Sequence, residues 1–193
     1  MSTVKVQGNA SGTGSITLAA PNTNSNQTLS LPDVTGTILT TATAGVPVGG
    51  PAFSAYQTAG TGQSIPNATF TKVAFQTEEF DTNNCYDSTT NYRFTPTVAG
   101  YYQVSAQVDF VNMVAAGTVF PMLYKNGAQA KAGQRITPPI NNLGVVLSTL
   151  IYMNGTTDYL EVYVYQASGA AQSLETLGAY ENYFQAFLAR SAV

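Results

Sequence analysis

From Tyr102 onward apolar side chains recur at every second position, through Val104, Ala106, Val108 and Phe110. That period of two is the mark of a strand with one buried face. Pro96 and Gly100 bracket its entrance, so the residues between them form a turn with a chemical cause. Further runs follow at short intervals. Val119, Pro121 and Leu123 alternate with Phe120, Met122 and Tyr124, after which Asn126-Gly127 supplies the strongest two-residue hairpin signal. Val145, Leu147, Thr149 and Ile151 alternate along another run, which leads to a second expected tight turn at Asn154-Gly155. In 159–165, Leu160, Val162 and Val164 fall on one face and Tyr159, Glu161, Tyr163 and Tyr165 on the other. No amphipathic helix is predicted anywhere, and the strand spacing is that of an all-β sandwich.

Residues 1–50 read differently, being rich in Thr, Ser, Asn and Gly, with Lys5 and Asp33 as the only charges before Lys72. Composition alone would predict disorder, but Ile16 and Leu18, then Leu29 and Leu31, alternate with hydroxyl residues on either side of a turn-forming stretch that includes Pro21. A short hairpin is predicted, followed by a third strand containing Ile38. Isolated hairpins are marginal in water, so this strip needs other chains. Two prolines and three glycines in 45–51 mark a boundary. The expected organisation is an anchoring or stalk segment over 1–44, a linker over 45–50 and a head over 51–193.

Several motifs of the head occur together in order: Pro51-Ala52-Phe53-Ser54-Ala55, Phe70-Thr71-Lys72-Val73, Phe94-Thr95-Pro96 followed by Gly100-Tyr101-Tyr102, and Phe184-Gln185-Ala186-Phe187-Leu188. This series resembles the globular head of complement one-q, a member of the tumour-necrosis-factor-like jelly rolls, over 51–190. The resemblance implies a ten-stranded jelly-roll β-sandwich that forms a homotrimer. It departs from the family in the last strand, where Gln185-Ala186 stand in place of the usual glycine, and no Gly-X-Y tract precedes the head. A complement role is therefore not carried over. In that family one face of the sandwich fills the core and the other packs at the threefold axis, which implies Tyr159, Tyr163 and Tyr165, with Tyr101 and Tyr102, as trimer-interface residues. Tyrosine suits interfaces because the ring is apolar while the hydroxyl stays hydrogen-bonded. The competing expectation is that these are tyrosines on an ordinary outer sheet face.

The strip over 12–41 is similar to segments of bacteriophage fibres and other virion proteins. Ile16, Leu18, Leu29, Leu31 and Ile38 are its expected anchoring residues, and other virion proteins its expected partners.

Composition sharpens this picture. Charged residues make up 9% of the chain, against roughly 25% in an average soluble protein. With 44% hydrophobic residues, extensive burial between chains is expected. The net charge of −3 and scattered basic residues provide no phosphate-binding face, so nucleic acid is not an expected partner. No apolar run nears the ~20 residues of a membrane span, and the first residues lack the apolar stretch of a signal peptide. The single cysteine, Cys85, reads as a packing residue. The sequons at Asn9, Asn26, Asn67 and Asn154 are expected from composition and read as unmodified.

The absence of histidine removes the commonest general base and zinc ligand. Glu78, Glu79, Asp81 and Asp87 are the remaining candidates for carboxylate chemistry, but adjacent strand residues point to opposite faces, so a solvated acidic loop is expected. Some heads of the resembled family bind calcium, for which Asp81 and Asp87 are the candidate ligands. No catalytic residue or cofactor is predicted. The expected role is structural: a homotrimeric phage head-surface fibre, decoration protein or fibre tip, located on the virion. An adhesin gripping a host glycan or protein through loops such as 133–143 or 166–176 is the alternative.

Overall fold

Strands joined by turns and loops make up the chain in a computed structural model that describes residues 11–12, 24, 26, 50–60, 62–114, 117–137, 141–177 and 181–192. The strip residues Ile16, Leu18, Leu29, Leu31 and Ile38 lie outside them, as do positions 45–49. Contacts divide the chain into two units, Met1–Ile38 and Leu39–Val193. The second holds the strands described below.

Thirteen strands and no helix occur among the described residues: β1 (Ala52–Tyr56), β2 (Ser64–Ile65), β3 (Thr71–Lys72), β4 (Thr77–Asp81), β5 (Tyr86–Asp87), β6 (Arg93–Phe94), β7 (Gly100–Met113), β8 (Val119–Lys125), β9 (Ala128–Ala132), β10 (Asn141–Met153), β11 (Leu160–Gln166), β12 (Gln172–Leu174) and β13 (Tyr183–Ser191). They form two antiparallel sheets. In the first, β10 lies along one side of β7; β13, β1 and β4 continue outward from its other side, with β12 and β2 beside the far end of β7. In the second, β9, β8 and β11 are neighbours, and β3, β6 and β5 complete the other side. Opening and closing strands pair as Ala52↔Phe187 and Phe53↔Ala186.

The alternation predicted for β7 is realised: Tyr102, Val104, Ala106, Val108 and Phe110 are all buried. They meet Val119, Leu123, Leu160, Val162 and Val164 of the facing sheet. Phe53 stands at the aromatic centre of this core, stacked on Tyr86 at 4.6 Å and Phe94 at 4.5 Å, with Phe184 edge-on at 4.9 Å. Cys85 packs against the core, and burial pushes its thiol up.

The two Asn-Gly turns diverge. Asn126 and Gly127 have φ of 54° and 78°, as a tight hairpin requires, and join β8 to β9. Asn154-Gly155 does not close a hairpin, because β10 and β11 belong to different sheets. Asn154 Oδ1 instead accepts the N–H groups of Thr156, Thr157 and Asp158. A Cβ on Gly155 would lie 2.3 Å from the Ala99 nitrogen, so glycine is needed there for close approach.

Asp158 ties the two turns together. Its carboxylate accepts from Asn126 Nδ2 at 2.7 Å and the Asn154 N–H at 2.9 Å, and pairs with Lys125 at 2.7 Å. Burial alone would raise this carboxyl, but the Asn126 amide, the Lys125 ammonium and the Asn154 N–H hold it below its ordinary value. A depressed folded value gives stability that is present above the unfolded pKa of about 3.9 and lost as pH falls through the folded one. Asp158→Asn is therefore expected to cost about 1–3 kcal/mol at neutral pH. It should also flatten the acid limb of thermal stability below pH 5, as followed by circular dichroism.

Candidate functional site

The two sheets turn outward faces of opposite character to solvent. On the second sheet the outer face is covered by its own side chains. Phe120 and Met122 are buried there. Phe70 stands 5.0 Å from the Tyr165 ring and 5.8 Å from that of Phe120, and the Arg135 guanidinium lies 3.8 Å above Phe120. Tyr163 stacks on Tyr124 at 4.0 Å, Arg93 lies over Tyr159 at 4.6 Å, and Lys72 pairs with the buried Glu161 at 2.7 Å. Burial, and then the neighbouring Glu161, push the Tyr163 hydroxyl up.

On the first sheet no described residue covers the outer face, which is bare in that sense. Alternate residues of β7 and β10 point outward in register: Tyr101 beside Tyr152, Gln103 beside Leu150, Ser105 beside Ser148 and Gln107 beside Val146. Phe187 of β13 pairs with Gln103, and Phe80 of β4 with Ser54. Leu150 and Phe187 are each 52% exposed, Phe80 50% and Tyr101 45%. The Tyr101 and Tyr152 rings touch edge-on at 5.5 Å. Small hydroxyl and amide residues between them bond to one another, Gln103 Nε2 to Ser148 Oγ at 3.0 Å and Gln185 Nε2 to Ser105 Oγ at 3.1 Å. Isolated exposed apolar residues are ordinary, whereas a contiguous set of large ones marks an interaction surface.

Charge on this face lies at its two ends and along β4, where Glu79 accepts from Ser54 Oγ. β10 carries no ionisable group apart from Tyr152, and β13 only Arg190 besides its tyrosine. At the opposite end burial, and then Glu175, raise the Asp109 carboxyl. Glu181 is raised by burial, then by Asp109 and Glu175.

The five tyrosines named from sequence do not converge. Tyr159, Tyr163 and Tyr165 sit at the second sheet and Tyr101 on the bare face of the first. Tyr102 is corrected outright: it is wholly buried, with its hydroxyl donating to the Val98 carbonyl at 2.8 Å. Even positions of β7 face the core, so two adjacent tyrosines there are divided between interior and surface. The residues missed were Leu150, Tyr152, Val146, Phe187 and Phe80. For Val146, Leu150 and Tyr152 the signal was present in β10, where these large apolar residues alternate with the buried set.

Asp81 and Asp87 serve the chain's own loops. Asp81 accepts the N–H of Asn83 and, at 2.7 Å, that of Tyr86. Asp87 accepts from the Thr90 N–H at 2.9 Å and the Asn91 amide at 2.6 Å, which hold its carboxyl below the usual carboxylate range. Among the described residues no group of three His, Cys, Asp or Glu side chains is arranged to hold a metal ion. Glu79 accepts from Ser54 Oγ at 2.8 Å, while Glu78 lines a polar recess with Asp87 and Arg93. The segment over 166–176 is not a free loop. The wholly buried Gln166 side chain bonds to the carbonyls of Ile65 and Ala170, and β12 pairs with β2 and β7.

No protein-family model matches the sequence. No curated protein matches it by sequence either. Solved structures do match in three dimensions. The globular domain of zebrafish complement 1qA protein superposes with a TM-score of 0.54 at 16% identity, covering 74% of this chain and 99% of that one. Eiger TNF from S. frugiperda gives 0.53 at 11% identity over 74% and 96% of the two chains, and murine APRIL 0.54 at 11% over 72% and 98%. The likeness is one of fold. Two antiparallel sheets in this arrangement are the jelly roll that the motifs of 51–190 resembled, and the bare face belongs to the sheet containing the first and last strands of that jelly roll.

Proposed function

We propose that this chain is a non-enzymatic structural protein of a bacteriophage virion that works as a homotrimer. In this reading it is a short head-surface fibre, decoration protein or fibre tip, whose N-terminal segment attaches to other virion proteins while the jelly roll projects. The observation that carries self-association is the bare apolar face of the first sheet. Five strands at ~4.8 Å and the nine residues of β13 at ~3.4 Å give a surface of about 24 by 30 Å, roughly 700 Å². That is close to the ~800 Å² per partner of a standard stable interface. A charged fraction of 9% fits a chain that spends its life covered. The threefold count rests on the resemblance to complement-type heads, and the virion setting on the Thr/Gly-rich strip over 12–41. Three heads side by side would also multiply weak contacts into avidity.

Light scattering on the full chain is expected to give three times the monomer mass. In particles that carry it, cross-linking mass spectrometry should join residues 1–44 to a capsid or tail protein. A one-chain mass would overturn the assembly. Cross-links from the strip only to its own chain would overturn the virion role, and binding of the trimer to host cells or glycans would assign it to adhesion.

A further inference from the structure

The recess that Glu78, Asp87 and Arg93 line lies at an open edge of the sandwich. There β4, an edge strand of the first sheet, comes beside β5, an edge strand of the second, and its neighbour β6. Its volume of about 610 Å³ falls within the ~300–1,000 Å³ of small-molecule clefts. Its lining is polar, however: Asn84 brings an amide, Ser88 and Thr95 hydroxyls, Glu78 a carboxylate and Arg93 a guanidinium. Among the described residues none of these five side chains has a hydrogen-bond or ion-pair partner, and Glu78 and Arg93 do not pair with each other across the hollow. Arg93 is held instead over the Tyr159 ring at 4.6 Å. A guanidinium positioned by a ring keeps its fork of N–H donors for another group.

The walls around these free groups are fixed. Asp81 accepts the Tyr86 N–H at 2.7 Å. Asp87 secures the turn that carries Ser88, accepting the N–H groups of Thr89, Thr90 and Asn91, and Lys72 Nζ ties down its far end at the Asn91 carbonyl, 3.1 Å away. Tyr92, next to Arg93, has φ of 49°, a conformation that bulky residues adopt only where their surroundings enforce it. Two of the aspartates expected from sequence to hold calcium thus stiffen the rim of the recess.

We propose that this recess binds a neutral saccharide. An anionic ligand would meet Glu78 and Asp87, and a metal ion would meet Arg93 while Asp87 is already spent on its own loop. A sugar hydroxyl both donates and accepts, so neighbouring hydroxyls of one ring can accept from Arg93 and donate to Glu78 together. A peptide fits less well. The β5 edge is two residues long, its Tyr86 N–H is given to Asp81, and the hollow offers polar groups where the alternate side chains of an added strand need pockets. This goes beyond the architectural reading, for it gives the head a ligand, at loops other than 133–143 and 166–176.

The test applies the full chain to a printed array of neutral and acidic glycans. The best neutral hit is then titrated by ligand-observed nuclear magnetic resonance against the parent, Arg93→Gln, Glu78→Gln and Arg135→Gln proteins. Losing a hydrogen bond to a charged group is expected to weaken binding about tenfold or more in each recess variant. Arg135→Gln, whose parent guanidinium lies over Phe120, should bind as the parent does. A blank array, hits confined to sulfated, phosphorylated or carboxylated glycans, or a neutral hit that both recess variants hold as well as the parent would overturn the proposal. So would a tripeptide mixture that binds the parent and not Arg93→Gln while no glycan binds, which would make the occupant a peptide. Glu78 is exposed, so Glu78→Gln keeps the test open if circular dichroism shows Arg93→Gln to be misfolded.

Discussion

Replacing Leu150 by aspartate is expected to turn the associated protein into single chains at micromolar concentration while leaving each chain folded. Leu150 is half exposed in the isolated chain, so the new carboxylate stays hydrated there and the sandwich loses no core contact. In the assembled protein the same carboxylate would lose its water against the neighbouring copy, with Arg190 of its own chain, which lines the same recess, as its nearest cation. Desolvating it with that partial compensation costs ~1–3 kcal/mol, about 5–150-fold in affinity for each contact. Sedimentation or light scattering across a dilution series measures it. Tyr163→Asp on the other sheet is the control. Its ring stacks on Tyr124 within the chain, so the expected loss is in melting temperature, with subunit number unchanged. A multimeric Leu150→Asp protein beside a monomeric Tyr163→Asp one would move the interface to the second sheet.

Those two residues show how far the sequence could be read. Alternation located β7 and β11 and divided each strand into an inner and an outer set, because burial on one face imposes a period of two. It assigned Leu160, Val162 and Val164 correctly to the core. What alternation lacks is any record of what lies above the outer set. Tyr163 and Tyr165 are outward, as expected, yet Phe70 from β3's flank and Tyr124 from β8 cover them, and both arrive from distant parts of the chain. On β10 the opposite error arose. Following only the alternation of Val145, Leu147, Thr149 and Ile151 leaves Leu150 and Tyr152 unexamined, although large apolar residues on the second face of a strand in a nearly uncharged chain are already a signal. Asn154-Gly155 forms the expected tight turn but shows the same limit. The dipeptide specifies a local bend, and whether the next strand returns to the same sheet or crosses to the other depends on Asp158 and Lys125, whose partners lie about thirty residues away.

Phe53→Ala is expected to have the largest effect on the stability of the fold. The side chain is 1% exposed and touches rings from three other strands, Tyr86 of β5, Phe94 of β6 and Phe184 of β13. Those rings belong to both sheets, so neither sheet can close over the gap without moving against the other. Truncating a buried phenylalanine costs about 3–5 kcal/mol. In a unit of this size that lowers the melting temperature by roughly 10–15 °C. Phe187→Ala makes the useful comparison, since Phe187 and Phe53 sit one register step apart on paired strands and face opposite ways. Its loss should weaken association, and association stabilises the folded chain by mass action. The Phe187→Ala deficit should therefore fade on dilution, as the parent itself dissociates. The Phe53→Ala deficit should persist at every concentration, because the contacts it removes are made within one chain. Equal dependence on concentration for the two variants would mean that the outward phenylalanine is also an intrachain residue, and that the bare face is not where copies meet.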